Sequence, residues 1–206
     1  MSSTSPKSKN YFGIEVLKMS HPEIRRLKKK SDDHTHHGNK VWDSSLVLMD
    51  YMSAFPLKRK TRVLEVGCGW GITGMFCAKT FNAEVTGVDI DSYVFPFLQL
   101  HARLNEVEVE TVQADFGKIN GEMLIEFDLL IGGDICFWDD MTKPLFSLVK
   151  RAHKHGVRCL IADPGRSPFD KMAEKACKQL GAEVERWNVP HPHNVSCDVL
   201  DVPPLF

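Results

Sequence analysis

The stretch Val63-Leu64-Glu65-Val66-Gly67-Cys68-Gly69-Trp70-Gly71-Ile72-Thr73-Gly74 constrains this chain more than any other. Val63, Leu64 and Val66 make a short apolar run, the pattern of a strand covered on both faces. Gly67, Gly69 and Gly71 permit a tight turn that brings backbone close to a ligand. The residues from Ile72 to about Lys79 read as a helix whose amide-rich N-terminus faces whatever lies over the turn. Dinucleotide enzymes use a similar turn, so the glycines alone do not decide the ligand. Glu65 inside the motif and Gly74 three residues after Gly71 narrow it.

Downstream, strand and helix patterns alternate. Glu84 to Asp89 reads as a second strand, and Asp91 or Ser92 caps a helix through Asn105. Pro96 fits there because it falls near the first turn. Val107 to Gln113 reads as a third strand and Asp128 to Gly132 as a fourth. A helix from about Met141 to His155, a strand from Val157 to Ala162 and a helix from Ser167 to Leu180 follow, the last ending at Gly181. Glu183 to Val189 and Val195 to Asp201 read as a closing antiparallel hairpin. The expected fold is therefore α/β, a Rossmann-like, mainly parallel seven-stranded sheet with helices on both faces. Upstream, Pro22 suits the start of a short helix, and Asp43 is read as the N-cap of a helix to Phe55, stopped by Pro56. Residues 1–20 are expected to be disordered or loosely docked, and 21–206 to form one domain, with 21–57 a helical entry segment and 58–206 the core.

A chain of 206 residues suffices for one well-buried domain. It contains no apolar run near the roughly 20 residues that span a bilayer. Met1 to Asn10 lacks the apolar core of a secretory signal. Six cysteines without a Cys-x-x-Cys pair suit reduced thiols, and a cytoplasmic location is expected. The basic run Arg25 to Lys30 reads as a solvated helix with Ile24 and Leu27 docked. His34, His36 and His37 beside Asp32 and Asp33 match no closed zinc spacing, so a polar loop is expected there and no metal site.

The candidate chemistry gathers at the carboxyl ends of the strands, where such sheets bind ligands. Asp89 ends the second strand, about 20 residues after the glycine turn, where a carboxylate accepts from both ribose hydroxyls. Asp115 and Phe116 follow the third strand, an acceptor for an adenine amino group beside a ring that covers the base. The fourth strand delivers Gly132-Gly133-Asp134-Ile135-Cys136-Phe137, with two glycines for close approach of a ligand and Asp134 just beyond.

The glycine pattern with Glu65 resembles motif I of the class I S-adenosylmethionine-dependent methyltransferases. The Asp134-x-x-Phe137 segment is similar to the Asp-x-x-Tyr motif of the seven-β-strand protein-lysine methyltransferases, methyltransferase family 16, with Phe137 where that family usually has Tyr. Gly38-Asn39-Lys40-Val41-Trp42-Asp43 looks like the same family's Gly…Val-Trp entry segment. Asp163-Pro164-Gly165-Arg166 resembles the branch that methylates the electron-transfer flavoprotein β-subunit. The similarity covers roughly residues 38–170. It implies S-adenosylmethionine as cofactor, contacted by Trp42, Gly67, Gly69, Asp89, Phe116 and Gly133, with Glu65, Gly71 and Asp115 counted in the same site. It implies Asp134 on the substrate side with Phe137 beside it. The implied reaction is N-methylation of a protein lysine. A small-molecule amine or another protein nitrogen is the alternative acceptor, and a non-catalytic binding domain or a dinucleotide oxidoreductase is the alternative class. The implied partner is a protein substrate, with no membrane and no nucleic acid, and the oligomeric state stays open.

Overall fold

The computed structural model describes residues 7–29 and 40–206. The polar loop with its three histidines, and Gly38-Asn39 of the entry segment, lie outside the described residues.

The chain opens with a hairpin, β1 (Ser8–Tyr11) and β2 (Ile14–Leu17), followed by helices α1 (Pro22–Lys28) and α2 (Asp43–Ala54). The core then alternates β3 (Arg62–Val66), α3 (Ile72–Phe81), β4 (Glu84–Asp89), α4 (Phe95–Leu104), β5 (Glu110–Gln113), α5 (Gly121–Leu124) and β6 (Leu129–Gly133). It continues through α6 (Asp139–Lys154), β7 (Arg158–Asp163), α7 (Ser167–Leu180), β8 (Glu183–Val189) and β9 (Val195–Val202). Seven strands form one sheet in the order β5-β4-β3-β6-β7-β9-β8. The first five are parallel to one another, and β9 runs antiparallel to both β7 and β8. This is the seven-stranded Rossmann-like sheet expected from sequence, closing hairpin included.

Period-two alternation divides the apolar side chains between two cores, one on each face. Val63, Ile131 and Leu160 join α2, α3 and α4 on one side. Leu64, Leu130 and Ile161 join α6 and α7 on the other. Strands buried on both faces explain why β3, β6 and β7 read as continuous apolar runs. The strand order reverses between β3 and β6, so the loops leaving those two strands diverge and open a crevice between them.

Three local expectations differ from the structure. Residues 8–17, expected within a disordered or loosely docked segment, form the β1–β2 hairpin. A hairpin alone is marginal in water. This one fully buries Ile14 and nearly buries Val16, each contributing roughly 1.5–3 kcal/mol. Asn105 on the end of α4 also accepts from Glu15 N at 2.7 Å and donates to Glu15 O at 2.8 Å, while His101 Nε2 accepts from Leu17 N at 3.1 Å. The third strand begins at Glu110 rather than Val107, since β5 pairs with β4 only from there. Finally, α2 is capped by the extended backbone of Trp42, and Asp43 is its first helical residue. In α4, Pro96 does fall in the first turn, after a 3-10 turn over Ser92–Val94 capped by Asp91.

Candidate active site

The crevice at the carboxyl ends of β3, β4, β5 and β6 holds a cavity of about 470 Å³. Trp42, Glu65, Gly67, Gly69, Asp89, Asp115, Phe116, Gly133, Asp134 and Phe137 all line it. Gly71 does not. Its φ of +69° starts α3, and a Cβ there would lie 2.7 Å from the Leu98 side chain, so Gly71 serves the packing of α3 on α4. Gly67 does line it, and with φ of +62° a Cβ there would meet Ile135 Cγ2, another lining residue, at 2.5 Å.

Backbone amides hold the carboxylates on the β3–β4 side. Asp89 Oδ2 accepts from Gly69 N and Oδ1 from Asp91 N, both at 3.0 Å, which ties the end of β4 to the glycine turn. Burial raises its pKa, partly offset by those two amides. Each oxygen keeps a free lone pair. Glu65 Oε2 accepts from Gly74 N at 3.1 Å inside α3, and burial pushes its carboxyl up to about 8 despite that bond. Asp115 Oδ1 accepts from Gly117 N at 2.7 Å and Lys118 N at 3.2 Å, closing the turn after β5.

The β6–β7 side is built differently. Asp134 has φ of +56°, a left-handed conformation uncommon for a residue with a side chain. Its own N–H donates to Ala162 O at 3.0 Å, holding the residue against β7. Its side chain is 4% exposed. Ser44 Oγ, from the first turn of α2, donates to Asp134 Oδ2. A guanidinium nitrogen of Arg166 lies 2.5 Å from Asp134 Oδ1, an ion pair rather than an aligned hydrogen bond. The other arm of Arg166 donates to Asp163 Oδ2 at 2.9 Å. Asp163 in turn accepts from Gly165 N and Arg166 N. Burial raises the Asp163 pKa, and the guanidinium and the two amides oppose that. The guanidinium carbon of Arg166 also sits 4.5 Å over the Phe137 ring. Phe137 packs edge-on against Trp42 at 5.7 Å, and Lys40 Nζ lies 3.6 Å over Trp42.

Two of these residues carry no role in the sequence reading. Arg166 appears there only as part of the Asp163-Pro164-Gly165-Arg166 resemblance. Ser44 is a polar residue on the buried face of α2, and that mismatch was its only signal.

Residues 22–176 match the family model described as lysine methyltransferase. The chain belongs to methyltransferase family 16. This methyltransferase-family chain is 27% identical over 130 residues to the electron transfer flavoprotein beta subunit lysine methyltransferase of Xenopus laevis, a match covering 62% of this chain and 52% of that one. It is 30% identical over 114 residues to the ubiquinone biosynthesis O-methyltransferase of Neisseria meningitidis, covering 54% and 46%. The family member thus spans about half the length of the curated relatives it matches. In fold it is similar to a methyltransferase from Pyrococcus furiosus, with a TM-score of 0.63 at 18% identity over 84% of this chain and 89% of that one.

S-adenosylmethionine is the cofactor of this family, and the cavity suits it. Its volume lies within the range of small-molecule sites. Gly67 at the cavity wall admits no side chain, Asp89 offers two acceptors, and among the described residues Asp89 forms no ion pair that would cancel its charge toward a cationic ligand.

Proposed function

We propose that this protein transfers a methyl group from S-adenosylmethionine to the side-chain amine of a lysine in another protein. One observation carries the choice of acceptor. Asp134 and Phe137, which line the cavity where the chain leaves β6, already hold a cationic nitrogen side chain, that of Arg166. A carboxylate beside an aromatic face is a site for an alkylammonium or guanidinium. The match to the lysine methyltransferase model supports the same reading.

When bound, the cofactor supplies an electrophilic methyl on a cationic sulfur. Asp89 would accept from the ribose hydroxyls, and Phe116 with Asp115 would take the adenine end. Gly67, Gly69 and Gly133 let backbone approach the ligand, and Trp42 closes the wall beside Phe137. Free lysine has a pKa near 10.4 and is mostly protonated at neutral pH. Nearby positive charge lowers that pKa by like-charge repulsion, favouring the neutral nucleophile. Asp134 would accept a hydrogen bond from the acceptor nitrogen and orient it, while the proton leaves to water. The cysteines stay out of the chemistry. Burial raises the Cys68 thiol well above its ordinary range and pushes Cys136 up to about 11, so neither offers a thiolate.

The test is incubation with isotope-labelled S-adenosylmethionine and a cell lysate depleted of endogenous methylation, followed by mass spectrometry. Label on lysine side chains of protein is expected. Label confined to small molecules would move the acceptor to a free amine, and no label with intact cofactor binding would leave a binding domain.

A further inference from the structure

We propose that Arg166 is a resident stand-in for the acceptor: in the free protein its guanidinium occupies the acceptor position between Asp134 and Phe137, and the incoming amine takes that position as Arg166 withdraws onto Asp163. The proposal rests on the lysine reading above and adds how the site is kept closed until an acceptor arrives.

Placement is the first argument. Asp134 and Phe137 line the cofactor cavity, whereas Arg166 does not. It lies against both residues from outside the cavity, 2.5 Å from Asp134 Oδ1 and 4.5 Å over the Phe137 ring. In-line displacement brings the nucleophile from the side opposite the leaving sulfur, across the methyl from the cofactor. An acceptor held by Asp134 and Phe137 on that side meets the position Arg166 already fills.

Charge is the second. Asp134 Oδ2 already accepts from Ser44, whereas Oδ1, the oxygen that faces Arg166, accepts no hydrogen bond and is the freer one for an arriving alkylammonium. Placing an ammonium and a guanidinium on one carboxylate oxygen beside a sulfonium is opposed by like-charge repulsion. Exchange of one cation for the other keeps the charge constant.

The third is that withdrawal leaves Arg166 partnered. Its second arm stays on Asp163, whose other oxygen is fixed by the amides of Gly165 and Arg166. Its side chain is 27% exposed, against 4% for Asp134, so the guanidinium has a route to solvent. Breaking only the Asp134 arm is a smaller change than freeing a buried arginine, which would leave both carboxylates unpaired.

The experiment is an NMR titration of n-butylammonium into the full chain saturated with S-adenosylhomocysteine. In the unaltered protein, butylammonium should shift the Arg166 Nε–H resonance as it binds. In Arg166→Gln the competitor is gone. If the closed form holds about nine-tenths of the molecules, butylammonium should then bind about tenfold more tightly. Ethylguanidinium should compete with butylammonium for that variant. Equal or weaker binding to folded Arg166→Gln would make Arg166 a positioning residue for Asp134 and overturn the proposal. An Arg166 Nε–H resonance unmoved at saturation would overturn it too, and that readout needs no variant, so it decides the matter if Arg166→Gln fails to fold. Because neither readout uses a protein acceptor, their failure is separable from that of the labelling experiment. Lysine labelling with an unmoved Arg166 signal would remove the stand-in and leave the acceptor assignment in place.

Discussion

At the ends of β3 and β4, Glu65 and Asp89 take their hydrogen bonds from the amides of Gly74, Gly69 and Asp91. At the ends of β6 and β7, Asp134 and Asp163 share the guanidinium of Arg166. Both pairs are largely buried, and burial alone would push all such carboxyls toward the neutral form. On the first side no cation pairs with Glu65 or Asp89 among the described residues, and burial raises both pKa values; on the second, burial raises Asp163 as well, but the Arg166 guanidinium opposes it. The second half carries one cation of its own, the Arg166 guanidinium between two carboxylates. The difference separates a pair of buried carboxyls with no cation of their own from a pair that shares one, and it fits the proposed division into a cofactor side and an acceptor side.

The largest effect that would sharpen this contrast is on turnover. Asp134→Asn keeps the shape and the Ser44 contact but loses the charge. Single-turnover methyl transfer at saturating cofactor should fall on the order of a hundredfold or more, about 2.7 kcal/mol in the barrier, with cofactor affinity nearly unchanged. Full activity would favour an acceptor that arrives uncharged. On the other side, Asp89→Ala should weaken calorimetric S-adenosylmethionine binding by about 1.5–3 kcal/mol, the range for hydrogen bonds to a charged group, or roughly ten- to hundredfold. Unchanged affinity in the folded variant would remove Asp89 from the cofactor half.

Smaller effects follow from burial. The Glu65 carboxyl is raised from 4.5 to about 8 in the folded protein. Across that window the unfolded chain has lost a proton that the native state keeps. This group therefore lowers stability as pH rises, by at most about 1.4 kcal/mol per pH unit. Denaturant unfolding at pH 5.5 and pH 8 should show that decline, and Glu65→Gln should flatten it. Equal slopes in both proteins would mean that Glu65 is ionised in the fold. Smallest of all, Phe137→Tyr adds the hydroxyl the family usually carries. Turnover on a lysine acceptor should hold or rise by up to about fivefold, the worth of one neutral hydrogen bond of about 1 kcal/mol. A large loss would show that the ring must stay apolar to stack with Arg166 or its replacement.

That Glu65, Gly67, Gly69, Asp89 and Asp115 would gather at one cavity was legible in sequence because the information is local. Glu65, Gly67 and Gly69 sit within five residues of one another, Asp89 ends a strand whose apolar pattern marks it, and Asp115 follows the short β5 in the next turn. Gly71 read the same way but serves packing, since a glycine requirement does not distinguish a ligand from Leu98. The β6–β7 side is written across the chain. Arg166 meets Asp134 only because β6 and β7 pair in parallel, with Gly133 opposite Ala162. Ser44 reaches Asp134 from 90 residues away. No spacing rule joins such positions. The N-terminal hairpin was hidden differently: its polar composition suggested disorder, yet Ile14-Glu15-Val16 carries a strand's alternation, and Asn105 supplies the partner that local reading cannot see.

The most direct test of the two-sided site is a crystal structure of the protein with S-adenosylhomocysteine. The account predicts the ribose hydroxyls on Asp89, the adenine beside Phe116, and the sulfur directed toward Asp134 with Arg166 on the far side of that carboxylate. A ligand whose sulfur faces away from Asp134, or that binds outside the cavity between β3 and β6, would contradict it.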